Sequence, residues 1–135
     1  MFFSRKIYQS QNIEVKESPI HRRGVFAKHA IAKGKLIEKA PVIFLTSDEK
    51  EMLRFTKLYH YYFLLGTPER KAAFSFGYAS FYNHSANANA FYTFSKRYQT
   101  INLYAYKTIA AGTEITINYN GKPNDVSEVY FPNED

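Results

Sequence analysis

The sequence contains no cysteine and no tryptophan among its 135 residues. The lack of cysteine excludes a disulfide framework and any thiolate-ligated metal site. The four histidines, at positions 21, 29, 60 and 84, do not follow zinc-binding spacings, so we expect no metal site. We expect no signal peptide, because the first residues hold no apolar run of sufficient length, and no run approaches the roughly 20 apolar residues that cross a bilayer. These absences predict a soluble intracellular protein with no membrane contact, in the cytoplasm or, for a eukaryotic or viral chain, the nucleus or host cell.

Aromatic side chains are abundant, and all of them are phenylalanine or tyrosine, with 12 of each. Such a density of rings favours strands over helices and requires many phenol groups to find hydrogen-bond partners or water. With 45% apolar residues, a chain of this length can build one core of its own. We therefore predict a single domain over residues 1–135.

The charge is unevenly distributed along the chain. Residues 1–119 hold 17 of the 18 Lys and Arg and 8 of the 12 acids, a balance of +9, whereas residues 120–135 hold one Lys and four acids, a balance of −3. The basic body admits contact with nucleic acid or a nucleosome, although a solvated surface explains it equally well. The acidic end is suited to attract a lysine-rich substrate segment.

Short alternating runs between turn residues indicate a mainly β fold of the α+β type. The strands we predict cover residues 12–17, 24–27, 36–38, 42–45, 89–94, 100–106 and 114–118. One helix is predicted directly after the strand 42–45, because Thr46 and Glu49 have the spacing of a capping box. It is expected to turn an apolar stripe toward the core, made of Met52, Phe55, Leu58, Tyr59 and Tyr62.

Three blocks of the sequence carry the chemistry. The central block runs from Phe81 to Tyr92 and places Asn83, His84 and a second asparagine, Asn89, between aromatic residues. A buried Asn or His costs about 1–3 kcal/mol without a partner, so this block forms a solvated turn, binds another segment or binds a ligand. The other two blocks are 22–27, with the sequence RRGVFA, and 114–119, with the sequence EITINY.

In this order and at these separations, the three blocks resemble the SET domain, the fold of protein-lysine methyltransferases that use S-adenosylmethionine. The resemblance covers about residues 13–121 and is strongest to compact single-domain members from viruses and microbes. It implies several short twisted sheets, one main helix and a knot-like crossing near the C-terminus. Residues 122–135 would then form a short closing segment without zinc.

The resemblance implies that the cofactor is bound by the turn at His21, Arg22, Arg23 and Gly24. In the family a Gly-x-Gly turn brings the main chain close to the methionine end of the cofactor, and here Arg22 replaces the first glycine. Our expectation is that the Arg22 side chain points outward and leaves the turn usable. Further cofactor contacts are implied for Asn83, His84 and Tyr119, with the first two at the adenosyl end.

Tyr119 matches the catalytic tyrosine of the family, and Asn118 replaces the aspartate that usually precedes it. Tyr92 matches a catalytic, channel-lining tyrosine of some members, and we expect it to control how many methyl groups one lysine receives. Ile117 stands where other members place an aromatic residue of the channel. Because a zinc-bound tail is absent, we expect Tyr130 or Phe131 to close the substrate channel.

The function implied is S-adenosylmethionine-dependent methylation of a lysine in a protein substrate, a histone or another basic protein. Two alternatives stay open. One is a basic, aromatic, nucleic-acid-binding module, although the aromatic RNA-binding signature fits residues 76–83 at only three permissive positions. The other is a catalytically inactive SET fold that only binds partners. Some compact members pair, so a homodimer is also compatible with the resemblance.

Overall fold

The computed structural model describes residues 7–65 and 71–126. Its elements in chain order are β1 (Tyr8–Gln9), β2 (Ile13–Glu17), β3 (Arg23–Ala27), β4 (Leu36–Leu45), α1 (Ser47–Met52), β5 (Tyr62–Leu64), β6 (Ala72–Ser75), β7 (Asn83–His84), β8 (Ala90–Ser95), β9 (Thr100–Ala105) and β10 (Glu114–Ile117). Short 3-10 turns cover Leu53–Phe55, Lys57–His60 and Ala79–Phe81. The predicted mainly β class is confirmed.

The strands form two sheets that meet over one core. The larger sheet has the order β5-β6-β4-β9-β8, with β1 also paired to β4, and the smaller has the order β2-β3-β10-β7. Their inner faces bury the apolar side chains that the alternation in the sequence predicted, with Ile37, Leu103 and Ile115 each 0% exposed. Burial of these side chains is the main favourable term holding the two sheets together.

The C-terminal strand brings the three sequence blocks to one place. β10 lies between β3 and β7 and is antiparallel to the first and parallel to the second. Glu114 is opposite Phe26, while Ile117 is opposite His84. Since a parallel pair cannot be made by a tight turn, β7 and β10 must come from distant parts of the chain.

β4 is longer than the sequence predicted. It runs unbroken through Pro41, which we expected to separate two strands. Proline removes one donor but keeps its acceptor, and here the Pro41 carbonyl accepts the Phe76 N–H at 3.0 Å while Val42 N–H bonds to Gln99 O at 2.9 Å. The ladder therefore continues past the proline.

The helix begins as predicted and ends much earlier. Thr46 and Glu49 form the capping box, with Glu49 N–H donating to Thr46 Oγ1 at 3.2 Å and Thr46 N–H donating to Glu49 Oε1 at 3.0 Å. However, α1 stops at Met52, and the stripe that we expected to face the core is largely in solvent. Met52 is 70% exposed and Phe55 is 89% exposed, so that prediction is wrong.

Candidate active site

Tyr119 lies two residues after β10, and the segment 82–84 holds its N–H and its hydroxyl. Its N–H donates to His84 Nδ1 at 3.0 Å, and its hydroxyl donates to the Tyr82 carbonyl at 2.8 Å. The two rings of Tyr119 and His84 lie with centroids 5.2 Å apart. This arrangement follows from the parallel pairing of Ile117 with His84, and it fixes the direction of the Tyr119 phenol.

The protonation states agree with these contacts. Burial of the hydroxyl end, with smaller contributions from Glu114, Tyr92 and Tyr61, raises the pKa of Tyr119 to about 12, although the residue as a whole is 40% exposed. Tyr119 is therefore a neutral phenol near pH 7. Burial lowers the pKa of His84, which favours the neutral ring whose Nδ1 can accept the Tyr119 N–H.

Asn83 fastens the turn before β3 to the start of β10. Its Nδ2 lies 3.1 Å from His21 O, 3.1 Å from Arg23 O and 2.8 Å from Glu114 Oε2. Ser18 Oγ accepts from the same amide at 3.1 Å and donates to Glu114 Oε1 at 2.7 Å. Because every neighbour of Nδ2 is an acceptor, the orientation of the amide is settled, and Oδ1 points the other way.

Gly24 lies where no side chain fits. A Cβ there would collide with the Glu114 carboxylate and lie 3.0 Å from Asn83 Nδ2. Glycine permits this close approach of the main chain to the buried amide and the carboxylate. The turn, Asn83 and Glu114 thus form one polar cluster beside Tyr119, in a part of the molecule where the family resemblance implies a bound cofactor.

Arg22 takes the left-handed backbone conformation that the missing glycine would take more easily, with φ of 41°. Its carbonyl accepts the Ser18 N–H at 2.9 Å, which closes the turn. The side chain leaves the turn, as expected, and Arg22 Nη1 donates to the Tyr61 hydroxyl at 3.2 Å. Arginine at this position therefore takes a backbone conformation that favours glycine and adds a link to Tyr61.

Tyr92 reaches the same region from β8. Its ring packs against Phe63, with centroids 5.2 Å apart, and against Phe94 at 5.6 Å. A Cβ on Gly121 would lie 3.9 Å from the Tyr92 hydroxyl, so this phenol reaches the chain just after Tyr119. Burial raises the pKa of Tyr92, which is also a neutral phenol. Tyr61 and Tyr92 both lie close enough to Tyr119 to help raise the pKa of its phenol, so the three tyrosines belong to one region.

Comparison with known families identifies this arrangement. The sequence model described as "SET domain" matches residues 22–120, which is most of the chain. The chain belongs to the SET domain family. The matched range begins at Arg22 and ends just after Tyr119, so it spans all three blocks.

Two individual relatives agree with the family. The "Histone-lysine N-methyltransferase, H3 lysine-37 specific" of Schizosaccharomyces pombe (strain 972 / ATCC 24843) is 28% identical over 108 residues, which is 79% of this chain and 72% of that protein. The crystal structure of a candidate histone methyltransferase of Plasmodium falciparum, PFL0690c, superposes with a TM-score of 0.65 at 26% identity and covers 82% of this chain and 94% of that one.

Not every residue predicted for the site is observed beside Tyr119. Ile117 is 0% exposed and belongs to the hydrophobic core. Its role as a channel residue stays a prediction. Tyr130 and Phe131 lie outside the described residues. His21 and Arg23 contribute their carbonyls to the site, both as acceptors for Asn83.

The contacts of Asn118 explain why this chain has asparagine where the SET family usually has aspartate. It is 2% exposed, and its Nδ2 donates to Asp125 O at 2.6 Å and lies 3.4 Å from Pro123 O. Its Oδ1 accepts the Asn120 N–H at 3.0 Å. A carboxylate could accept but not donate, so only the amide can hold the chain after Tyr119 on both sides.

Four contributors to this SET site were missed by sequence reasoning: Ser18, Tyr61, the Tyr82 carbonyl and Glu114. Glu114 left a usable signal, because an acidic residue that opens a buried strand needs a partner. Ser18 gave no signal beyond its place directly after the predicted strand 12–17. Tyr82 contributes its main-chain carbonyl, and the residue type gives no information about main-chain contacts.

Two kinds of feature are not found in the described part of the chain. No helix among residues 7–65 and 71–126 is long and apolar enough to cross a bilayer. Over the same residues, no group of three or more His, Cys, Asp or Glu side chains is placed to hold a metal ion.

Proposed function

We propose that this SET domain protein transfers methyl groups from S-adenosylmethionine to the side-chain amine of a lysine in a protein substrate. The observation that carries the proposal is the meeting of Gly24, Asn83 and Tyr119, three residues from separate parts of the chain. When bound, S-adenosylmethionine would supply a methyl group on a positively charged sulfur. A neutral amine can attack the methyl carbon in line, and the sulfur leaves with the bonding electrons. Such a reaction requires positioning and electrostatics and needs no nucleophilic side chain.

The cofactor fits the polar cluster at the turn before β3. Asn83 is 5% exposed, and no residue in the described part of the chain donates to its Oδ1, which leaves a buried acceptor. We therefore place the cofactor's ammonium group at Asn83, whereas the family resemblance put this residue at the adenosyl end. The Glu114 carboxylate adds negative charge beside it, which suits a cationic ligand. His21, Arg22, Arg23 and Gly24 would provide main-chain contacts, and His84 the adenosyl end.

The phenols around Tyr119 suit a lysine. Desolvation by Tyr61, Tyr92 and Phe63 would lower the pKa of an entering lysine amine, so that a larger fraction is neutral and able to attack. The Tyr119 hydroxyl donates its proton to Tyr82 O, so its lone pairs can face the amine and the methyl group, which it can hold by weak C–H···O contacts.

We propose a histone or another basic protein as the substrate. The Schizosaccharomyces pombe relative bears the name of a histone H3 methyltransferase, and the acidic residues after Tyr119, among them Asp125, can attract a lysine-rich segment. At 28% identity this supports the class of substrate and leaves the particular lysine to experiment.

The direct test uses radiolabelled S-adenosylmethionine with purified histones and with total basic protein from the source cell. We expect label on lysine, and calorimetric titration should show cofactor binding that is lost in Asn83→Ala. Binding of the cofactor without transfer to any protein would indicate an inactive SET fold. Salt-sensitive RNA binding without cofactor binding would indicate the nucleic-acid module instead.

Tyr92→Phe is expected to change how many methyl groups one lysine receives. The hydroxyl occupies space and can hold a water or the amine where a second or third methyl group must fit, so its removal should shift the products toward higher methylation. Mass spectrometry of the methylated substrate measures this distribution. Tyr104→Phe is the matched control, because it also removes one tyrosine hydroxyl, here from a ring that stacks on Phe91 with centroids 5.4 Å apart. An unchanged distribution in Tyr92→Phe would refute the gating role.

Removal of residues 127–135 is expected to lower turnover about tenfold or more while changing the melting temperature by only a few degrees. The cut leaves Pro123 and Asp125, which bond to Asn118, in place. It removes Tyr130 and Phe131, which we propose close the lysine channel. The control is the full chain carrying Glu134→Gln and Asp135→Asn, which alters only charge. Full turnover in the shortened protein would contradict the closing role.

A further inference from the structure

Glu38 is a fully buried carboxylate that the proposed chemistry does not yet use. It lies on β4 and is 1% exposed. Burial of a carboxylate is costly unless its oxygens are hydrogen-bonded, and burial raises the pKa of Glu38. Among the residues that the structure describes, no cation is paired with it; its partners are Tyr78, Tyr82 and Gln9.

The two oxygens of Glu38 hold the two ends of one short turn. Oε2 accepts the Tyr78 N–H at 2.8 Å, and Oε1 accepts the Tyr82 hydroxyl at 2.9 Å. Between these residues the chain forms the 3-10 turn Ala79–Phe81. Tyr82 is itself 1% exposed, so the hydrogen bond to its hydroxyl is shielded from water.

The chain before this turn is shaped to receive the carboxylate. Gly77 has φ of 71°, and a Cβ there would lie 2.5 Å from Glu38 Oε2. A glycine is therefore required both by the backbone conformation and by the close approach of Glu38. Gly77, Tyr78 and Tyr82 together enclose the carboxylate.

The end of this turn is the segment that holds Tyr119. The Tyr82 carbonyl accepts the Tyr119 hydroxyl at 2.8 Å, and two residues later His84 Nδ1 accepts the Tyr119 N–H. Asn83, between them, is the hub of the cofactor cluster. A displacement of Tyr82 would therefore redirect the phenol that touches the substrate.

We propose that Glu38 is a positioning residue for methyl transfer: through the Tyr82 hydroxyl it fixes the Tyr82 carbonyl and so the direction of the Tyr119 phenol. The effect of Glu38 on turnover rests on the proposed function, whereas its effect on the direction of Tyr119 does not. Glu38 does not touch the substrate or the cofactor and acts only through Tyr82.

A double-mutant cycle tests the chain of contacts. Glu38→Gln replaces the charged acceptor of the Tyr82 hydroxyl by a neutral amide and so weakens that hydrogen bond, whereas Tyr82→Phe removes the hydroxyl. We expect each change to lower kcat about tenfold or more with KM for cofactor and protein within about threefold. In the double variant, kcat should fall no further than in Tyr82→Phe alone, because both changes act on the same hydrogen bond.

The glycines offer a matched pair that leaves Glu38 and Tyr82 in place. Gly77→Ala would press on the Glu38 carboxylate, whereas Gly34→Ala has a similar φ of 85° and nothing within 4 Å of the added Cβ. Both carry the same kind of backbone strain, so only Gly77→Ala should lower kcat.

A spectroscopic readout separates this proposal from the proposed function. With carbon-13 at the hydroxyl-bearing carbon of tyrosine, the Tyr119 signal should shift in Glu38→Gln while the Tyr104 signal stays in place. Should the wild-type protein transfer no methyl group, the function fails, and this shift still decides whether Glu38 positions Tyr119. An unmoved Tyr119 signal, or losses of kcat that multiply in the double variant, would overturn the inference.

Discussion

Tyr119→Phe is expected to lower kcat about 100- to 1,000-fold and to leave cofactor affinity within a few fold, the size of effect seen when one preorganised polar group is removed from a reacting centre. The change deletes the hydroxyl that donates to Tyr82 O at 2.8 Å. The ring and the main-chain bond to His84 Nδ1 stay, so the position of the aromatic side chain is kept. The loss should therefore appear in kcat and leave KM for the cofactor nearly unchanged.

The pH dependence of turnover checks the role assigned to this phenol. Burial raises the pKa of Tyr119 to about 12, so it stays protonated from pH 7 to pH 10 and cannot act as a base there. Turnover should rise over this range as the substrate lysine loses its proton, and Tyr119→Phe should keep the shape of the curve at a much lower height. Tyr104→Phe is the control and should match the wild type.

A curve that keeps its height but changes shape in Tyr119→Phe would contradict this account. It would mean that the phenol ionises during turnover and is not needed for orientation. Measurement of kcat at saturating cofactor and substrate, with thermal unfolding in parallel, distinguishes a catalytic loss from an unstable variant.

The parts of the site that could be predicted are those built from residue types. Asn83, His84, Tyr119 and Gly24 stand out because their side chains, or the lack of one, are unusual beside buried strands. What the sequence could not reveal is which atoms they meet. The partner of the Tyr119 hydroxyl is a main-chain carbonyl 37 residues away, and a carbonyl is present at every position of the chain.

The helix shows how a strong local pattern can fail. The capping box was correct because it depends on neighbours that are only three residues apart. The apolar spacing after it failed because the chain turns extended at Thr56, with φ of −131° and ψ of 162°, and the Thr56 hydroxyl accepts the Leu58 N–H to start a new turn. Periodicity describes a face only while the helix continues, and here it ends at Met52.

The long reach of β4 was missed for a related reason. Pro41 is a sound signal of a strand end when the lost donor is needed. Here Pro41 lies where its carbonyl meets Phe76 and its neighbour Val42 meets Gln99, contacts that depend on how distant strands are stacked. Glu38 and Val42 therefore lie on one strand, and both are buried there.

Gly24→Ala is expected to reduce cofactor affinity about 100-fold or to undetectable levels. The added Cβ would meet the Glu114 carboxylate and lie 3.0 Å from Asn83 Nδ2, so either the turn or the polar cluster must move. Overpacking of this kind costs about 1–3 kcal/mol of stability, a loss the fold can bear. Cofactor affinity should fall much more, because the Asn83 amide and the Glu114 carboxylate fix the position of the whole turn.

Gly112→Ala is the matched control for this prediction. Its φ of 83° is unfavourable for alanine, but nothing lies within 4 Å of the added Cβ. It should therefore cost about 1 kcal/mol through backbone strain and leave cofactor affinity intact. Calorimetric titration with S-adenosylmethionine and thermal unfolding of both variants separate the two effects. If Gly24→Ala bound the cofactor as tightly as Gly112→Ala, the turn before β3 would not be the cofactor site, and the acceptor on Asn83 would need another ligand.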